Sequence, residues 1–221
     1  MDPQQLCNVL MHTFSPDATQ RAQAEAAIKT LPSIPGAPAA LLQVVGAADQ
    51  VQKEVRLAAA ISFKNITKKH WAPPHTVDLV QETEKPALRE LVFQVMLVES
   101  DSPIRKMLAE AVNQIARTDY PAQWPQLLPE VLSHVHSGEP LRIHNSLLAL
   151  RQVTKRLEYK RGDDRAPLEM IVNTALPIML QLMKQLLESN NNTLEAAMIM
   201  KMALKILWSC TQFSLPTSTV A

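Results

Sequence analysis

Apolar residues recur every three or four positions along most of this chain, the spacing that keeps one face of a helix in contact with a core. Ile104, Leu108, Ala111, Val112 and Ile115 form one such stripe, and Trp124, Leu127, Leu128, Val131, Leu132 and Val135 form the next. Start signals stand in front of several stripes. Ser15-Pro16-Asp17 offers an N-cap, a proline at the first helical position and an early acid; Ser102-Pro103 repeats the first two features, and Glu139-Pro140 is a weaker version. The pattern predicts helices at 3–12, 16–31, 37–48, 51–70, 75–98, 103–118, 124–136, 140–158, 166–188 and 193–213. The segment 51–70 differs from the others, because Val51, Val55, Leu57 to Ile61, Phe63 and Ile66 cover most of its circumference. It calls for neighbours on more than one side.

Composition sharpens this into an all-α fold. Four glycines against sixteen prolines suit helices punctuated by proline rather than hairpins, which need glycine-rich turns, and 47% hydrophobic against 19% charged residues excludes a disordered chain. Helices in succession with short connections close as a bundle or stack as a solenoid, and an internal repeat chooses between them. Val55-Arg56, Ile104-Arg105 and Leu141-Arg142 each open a helix, and their arginines lie 49 and 37 residues apart. The mean spacing falls within the period of about 40 to 47 residues that marks HEAT and armadillo repeats.

Charge and cysteines narrow the function classes. Lys plus Arg number 22 and Asp plus Glu 21, so no global positive field would draw the protein onto nucleic acid or anionic lipid. The opening MDPQQLCNVL has no basic flank and too short an apolar run for a secretion signal. The uncharged stretch Met170–Met183 is shorter than the ~20 residues of a membrane span and carries Asn173, Pro177 and Gln181, which reads as a buried helix. Cys7 and Cys210 are lone thiols without a CxxC or metal spacing, which fits a reducing compartment, cytoplasmic or nuclear. There is no phosphate loop, no GxSxG, no HExxH and no third ligand near His134 and His136, and the Asp163-Asp164 pair lies in a charged turn. No enzyme and no cofactor are expected.

The repeat carries a more specific resemblance. An apolar-Arg pair with a small residue after it, as in Val55-Arg56-Leu57-Ala58-Ala59, resembles the second half of the HEAT consensus. In that consensus an Asp five residues before the apolar member builds a ladder with the Arg. Here those positions are Gln50, Glu99 and His136, so a regular Asp-Arg ladder is not expected. The stretch RLAAAISFKNITKKHW, residues 56–71, resembles the importin-beta amino-terminal domain. Four further islands, MDPQQL, Asp119-Tyr120-Pro121 with Trp124, Leu157-Glu158-Tyr159-Lys160 and Gln212-Phe213-Ser214-Leu215-Pro216, follow the order of the importin seven and eight branch of the karyopherin-beta family.

That resemblance implies an all-α, right-handed superhelical solenoid of about five HEAT-type helix pairs, continuous over 1–221. An importin-beta N-terminal domain would occupy 20–100, and further repeats 101–221, continuing in a longer receptor. It implies a nuclear import receptor that binds the small GTPase Ran in its GTP form and shuttles between cytoplasm and nucleus through the nuclear pore. Phe-Gly nucleoporins and cargo proteins would be its other partners, with most cargo contacts lying beyond this chain. No direct membrane binding is implied. The runner-up is a helical-repeat scaffold for another protein partner with no Ran function. A third reading, a nucleic-acid binder, is disfavoured by the near-zero net charge.

Candidate residues follow, each with a plainer alternative. Lys64, Asn65 and Lys68 could form a Ran-facing edge; otherwise they are solvated cations beside an Asn that caps nearby backbone. Arg151, Lys155, Arg156, Lys160 and Arg161 read as a positive stripe on the last turns of a helix, at i,i+4 spacing for 151/155 and 156/160, open to an acidic partner or simply solvated. Trp71, Tyr120 and Trp124 sit beside prolines, where large rings more often plug gaps between repeats than stack bases. The Met-rich MIMKMALKIL from Met198 fits either a Met-lined groove or an internal helix awaiting a neighbour, and the latter predicts an exposed apolar face near the carboxyl end.

Overall fold

The computed structural model describes residues 1–72, 80–189 and 193–212. Among them are ten α-helices, two short 3-10 turns and no strand. The chain divides into two compact units, Met1–Thr118 and Asp119–Ala221.

The first unit holds α1 (Pro3–His12), α2 (Ala18–Thr30), α3 (Ala37–Gly46), α4 (Lys53–His70), α5 (Lys85–Val98) and nearly all of α6 (Ser102–Asp119). Consecutive helices pair, α1 with α2 and α3 with α4, and α1, α3 and α5 also pack in succession. The core is built from the predicted stripes: Leu6, Leu10, Leu41, Leu42, Phe63, Val92, Phe93, Ile104 and Leu108 are all fully buried. In the second unit, α7 (Leu127–Val135) pairs with α8 (Pro140–Leu157) and α9 (Ala166–Glu188) with α10 (Leu194–Thr211). Here α7 packs on α9 and α8 on α10, so equivalent helices of successive pairs stack on each other. Both units are therefore two layers of helices, each pair covering the apolar face of the one before.

Several boundaries differ from the sequence reading for local reasons. Ser15-Pro16 is not the start of α2. Asp17 is the cap, its Oδ1 accepting from the Thr19 N–H at 2.8 Å, while the Ser15 hydroxyl accepts from the Asp17 N–H at 3.1 Å. The helix expected over 75–98 begins at Lys85, where Pro86 fits the first turn; 73–79 lie outside the described residues. Trp124 was expected to open a helix, but α7 starts at Leu127. The Asp119 carbonyl accepts from both Gln123 and Trp124 N–H groups, at 2.6 and 2.9 Å, and holds Trp124 in the connection, after a cis Tyr120–Pro121 bond.

Two burial readings are also corrected. Helix α4 does meet two neighbours, α1 and α3, but Ile61 stays 38% exposed, on a face it shares with Leu57, Lys64, Asn65 and Lys68. Helix α9 is not wholly buried. Gly162–Glu188 is long and apolar enough by composition to cross a membrane, yet Ile171, Val172, Ala175, Met179 and Leu182 face the core while Leu180 and Leu187 are exposed. Its Pro177 lies on the exposed side of the helix, away from the core face.

Candidate interaction surfaces

The end of α4 is fixed by its aromatic stop. Trp71 is 2% exposed, and the Lys85 ammonium, itself buried, lies 5.4 Å from the ring centroid and bonds the Glu82 carboxylate. Tyr120 and Trp124 are buried too, so all three rings fill gaps and none offers a stacking platform. With α4 anchored, its polar edge has a defined direction. Asn65 and Lys68 are exposed and Lys64 half-buried, and the Lys64 carbonyl accepts from the Thr67 hydroxyl at 2.8 Å.

Sequence reasoning missed what Asn65 does next. Together with Lys69 and His70 it lines a shallow groove of about 180 Å³ against Ile28 and Lys29 at the end of α2 and Pro32 of the 3-10 turn that follows. Lys64 and Lys68 sit one step round the helix, so the candidate edge has two sides: Asn65 faces this basic groove, and Lys64 and Lys68 flank the exposed Ile61. The partner helix could not be read from the sequence, because no local spacing places the end of α2 beside α4.

The first unit is tied by a buried ion pair. The Arg56 guanidinium bonds the Glu99 carboxylate and donates to the Val45 carbonyl at 2.7 Å, while the other Glu99 oxygen accepts from the Asp101 N–H at 2.7 Å. Arg105 closes the turn by donating to the Glu99 and Ser100 carbonyls, both at 3.2 Å. Glu99 thus makes one rung where the consensus has Asp. The third arginine makes no such rung, because Arg142 pairs with the exposed Glu139 three residues earlier at 2.8 Å. Beside the rung, Lys53 reaches the Asp101 carboxylate at 2.7 Å, a hydrogen bond that holds the Asp101 carboxyl below its ordinary range.

The expected positive stripe of α8 is broken up. The helix ends at Leu157, so Lys160 and Arg161 lie beyond it and the 156/160 helical pairing is lost; Lys160 instead approaches Asp164 at 3.5 Å. Arg151 does not point along the stripe with Lys155. It bonds the Ser209 hydroxyl of α10 and lies 3.5 Å from Glu158, whose carboxylate accepts from the same hydroxyl. Burial pushes the Glu158 carboxyl up, but bonds from Ser209 and Tyr159 and the charge of Arg151 outweigh it, leaving it below its usual value. Lys155 is exposed, and Arg156 half-buried.

A second surface emerges where α8 meets α10. Arg151 borders an open apolar groove of about 460 Å³ floored by Met200, Leu204 and Trp208 and edged by Lys201 and Lys205. Leu204 is 51% and Trp208 65% exposed, the apolar face that the Met-rich segment led us to expect. The thiols take no part in either surface. Both are buried, and burial pushes Cys7 upward and Cys210 up to about 11, so neither is a ready nucleophile at neutral pH.

Residues 24–98 match the family described as importin-beta N-terminal domain, and residues 101–221 match the exportin 1-like protein family. An importin beta-like SAD2 homolog of Arabidopsis thaliana is 32% identical over 92% of this chain and 19% of its own length, and importin-8 of Mus musculus 28% identical over 100% and 22%. The chain therefore spans about a fifth of the length of these relatives. Among solved structures, the exportin Cse1 in its cargo-free, cytoplasmic state superposes with a TM-score of 0.86 at 19% identity, over 98% of this chain and 24% of that one. Kap95p, solved with RanGDP, does so with a TM-score of 0.57 at 20% identity, over 100% and 30%. At such identities these two likenesses speak for the HEAT-type fold alone, whereas the importin-beta N-terminal match and the 32% identity to the Arabidopsis importin beta-like relative over 92% of the chain carry the assignment: the protein belongs to the importin-beta, or karyopherin-beta, family.

Proposed function

We propose that the chain acts as the Ran-sensing, amino-terminal portion of a nuclear import receptor. The observation that carries this reading is the edge of α4, where Lys64, Asn65 and Lys68 accompany an exposed Ile61 on a helix end anchored by Trp71. Such an edge offers cations, a side-chain amide and an apolar contact to one protein partner. Its place within the importin-beta N-terminal match, and a structural neighbour solved with Ran, support Ran as that partner. Residues 20–100 would make up this sensing domain, and 101–221 would begin a run of repeats continuing in a longer receptor, where most cargo contacts lie.

Function would follow from linkage. If Ran-GTP and import cargo favour different states of one flexible helical array, binding of the first lowers affinity for the second by the same factor that cargo lowers affinity for Ran. The receptor would load cargo in the cytoplasm, pass the pore by way of Phe-Gly nucleoporins and release it in the nucleus. It acts by binding, with no catalytic step and no cofactor.

Immobilising the chain, extended to receptor length, with Ran loaded with GTP or with GDP tests this. Retention should favour the GTP form, and Lys64→Ala with Asn65→Ala should weaken it by about tenfold, equivalent to about 1.4 kcal/mol, with helical content unchanged. Equal retention of both forms, or none, would sink the Ran reading in favour of a scaffold for another partner. Preference for the GTP form only in the presence of cargo would identify an exporter instead.

A further inference from the structure

We propose that the groove between α8 and α10 is a docking site for an acidic amphipathic segment of a partner protein. This is separate from the α4 edge and does not depend on Ran binding. The groove holds about 460 Å³, within the range of about 300 to 1,000 Å³ in which pockets take whole side chains. Its floor is Met200, Leu204 and Trp208, and Trp208 is the large, rigid, amphipathic kind of group that anchors interfaces. Leu204 and Trp208 are one helical turn apart and both more than half exposed, so they receive successive apolar anchors of a helical guest.

The rim decides the sign of the guest. Lys201 and Lys205, also one turn apart on α10, are exposed along one side, Arg151 borders the groove from α8, and no carboxylate lines it among the described residues. Arg151 is already held by Glu158 and Ser209, so the two lysines supply the net charge while the fixed guanidinium stiffens the wall. Glu158 is 6% exposed and engaged in that bridge, so it does not neutralise the lysines. A segment with leucines at every third or fourth position and glutamates beside them meets both requirements; a basic or neutral helix meets only one.

Tryptophan emission reads the site directly. Trp71 and Trp124 are 2% and 4% exposed, so acrylamide quenching of the 221-residue chain reports chiefly on Trp208. The probe is a 20-residue helical peptide of leucine and glutamate in that pattern, beside its leucine-lysine counterpart. The acidic peptide should shift emission to the blue and protect Trp208 from acrylamide, with affinity falling as salt rises, and the basic peptide should do neither. Lys201→Glu with Lys205→Glu, both exposed changes that leave the circular dichroism spectrum intact, should lower acidic-peptide affinity at least tenfold and admit the basic one. Equal protection by both peptides, or none by the acidic one, overturns the proposal. So does protection without peptide that grows with protein concentration, since a second copy then fills the groove. Protection without peptide in a chain extended to receptor length also overturns it, since further helices of the same polypeptide are then the occupant.

Discussion

Replacing Glu99 with alanine removes one half of a buried ion pair and leaves the other half behind. The Glu99 side chain is 2% and the Arg56 side chain 10% exposed. Stripping one partner from such a pair costs about 3 to 5 kcal/mol, because the remaining charge stays desolvated without its counter-charge. Two details adjust that figure. Arg56 keeps its bond to the Val45 carbonyl and some access to water, which lowers the cost, while the Asp101 N–H loses its acceptor, which raises it. About 3 to 4 kcal/mol is expected. At about 2 to 4 °C per kcal/mol for a chain of this size, that lowers Tm by about 10 °C. Glu99→Gln keeps an oxygen for the Asp101 N–H and should cost clearly less. Arg56→Met with Glu99→Leu removes both charges and should cost less than either single alanine variant, since two desolvation penalties vanish together. Urea unfolding followed by circular dichroism measures all of these. A Glu99→Ala variant within about 1 kcal/mol of wild type, or a double variant as costly as the two singles combined, would refute the claim that this rung joins α4 to the α5–α6 turn as a desolvated pair.

Tyr120 offers the opposite case. Its buried hydroxyl has no hydrogen-bond partner among the described residues and burial pushes its pKa up to about 12, so Tyr120→Phe should leave stability unchanged or raise it by up to about 1 kcal/mol at neutral pH. The folded state holds this proton more tightly than the unfolded one. Its contribution is therefore complete below pH 10 and fades as pH climbs toward 12, and thermal unfolding across that window should fall less steeply in the Phe variant. Glu158 has the reverse sign. Its folded carboxyl lies below the usual value, so the stability it adds is present above the unfolded pKa near 4.5 and is lost as pH falls through the folded value. Ser209→Ala, which takes away a donor to that carboxylate, should flatten the acid limb of the stability curve and cost about 1 to 2 kcal/mol at pH 7.

The helices were legible because burial imposes its period on the sequence whatever the tertiary arrangement, as the stripe from Ile104 to Ile115 shows. Their ends were less so. Ser15 and Asp17 both offer a capping oxygen, and only the path of the backbone decides which one meets an N–H of the first turn. Trp124 continues the apolar pattern of α7 yet belongs to the loop, because an aromatic that plugs a connection and one that lines a helix look alike in one dimension. The apolar run of α9 likewise hides which of its sides has a neighbour, and Leu180 and Leu187 stay exposed.

The candidate surfaces divide along the same line. Lys64, Asn65 and Lys68 could be proposed from the sequence because a family resemblance and a helical edge are both sequential, and the fold adds only that Asn65 and Lys68 are exposed and Lys64 half-buried. Arg151 was misassigned because the group that binds it, Ser209, stands 58 residues away, and no local spacing places α10 beside α8. Glu99 shows the same limit in a milder form: the consensus position was identified, but only the fold reveals that a longer carboxylate completes the rung to Arg56. The exposed face at Leu204 and Trp208 was foreseen from the Met-rich pattern, whereas its cationic rim needed the juxtaposition of two helices.

Hydrogen exchange on the receptor-length protein, with and without Ran carrying a non-hydrolysable GTP analogue, shows whether the α4 edge is where Ran binds. Amide exchange should slow over residues 57–70 of α4 and the facing end of α2 around Lys29, and should not do so with Ran-GDP. Unchanged exchange there while Ran-GTP is demonstrably bound elsewhere would contradict binding at that edge.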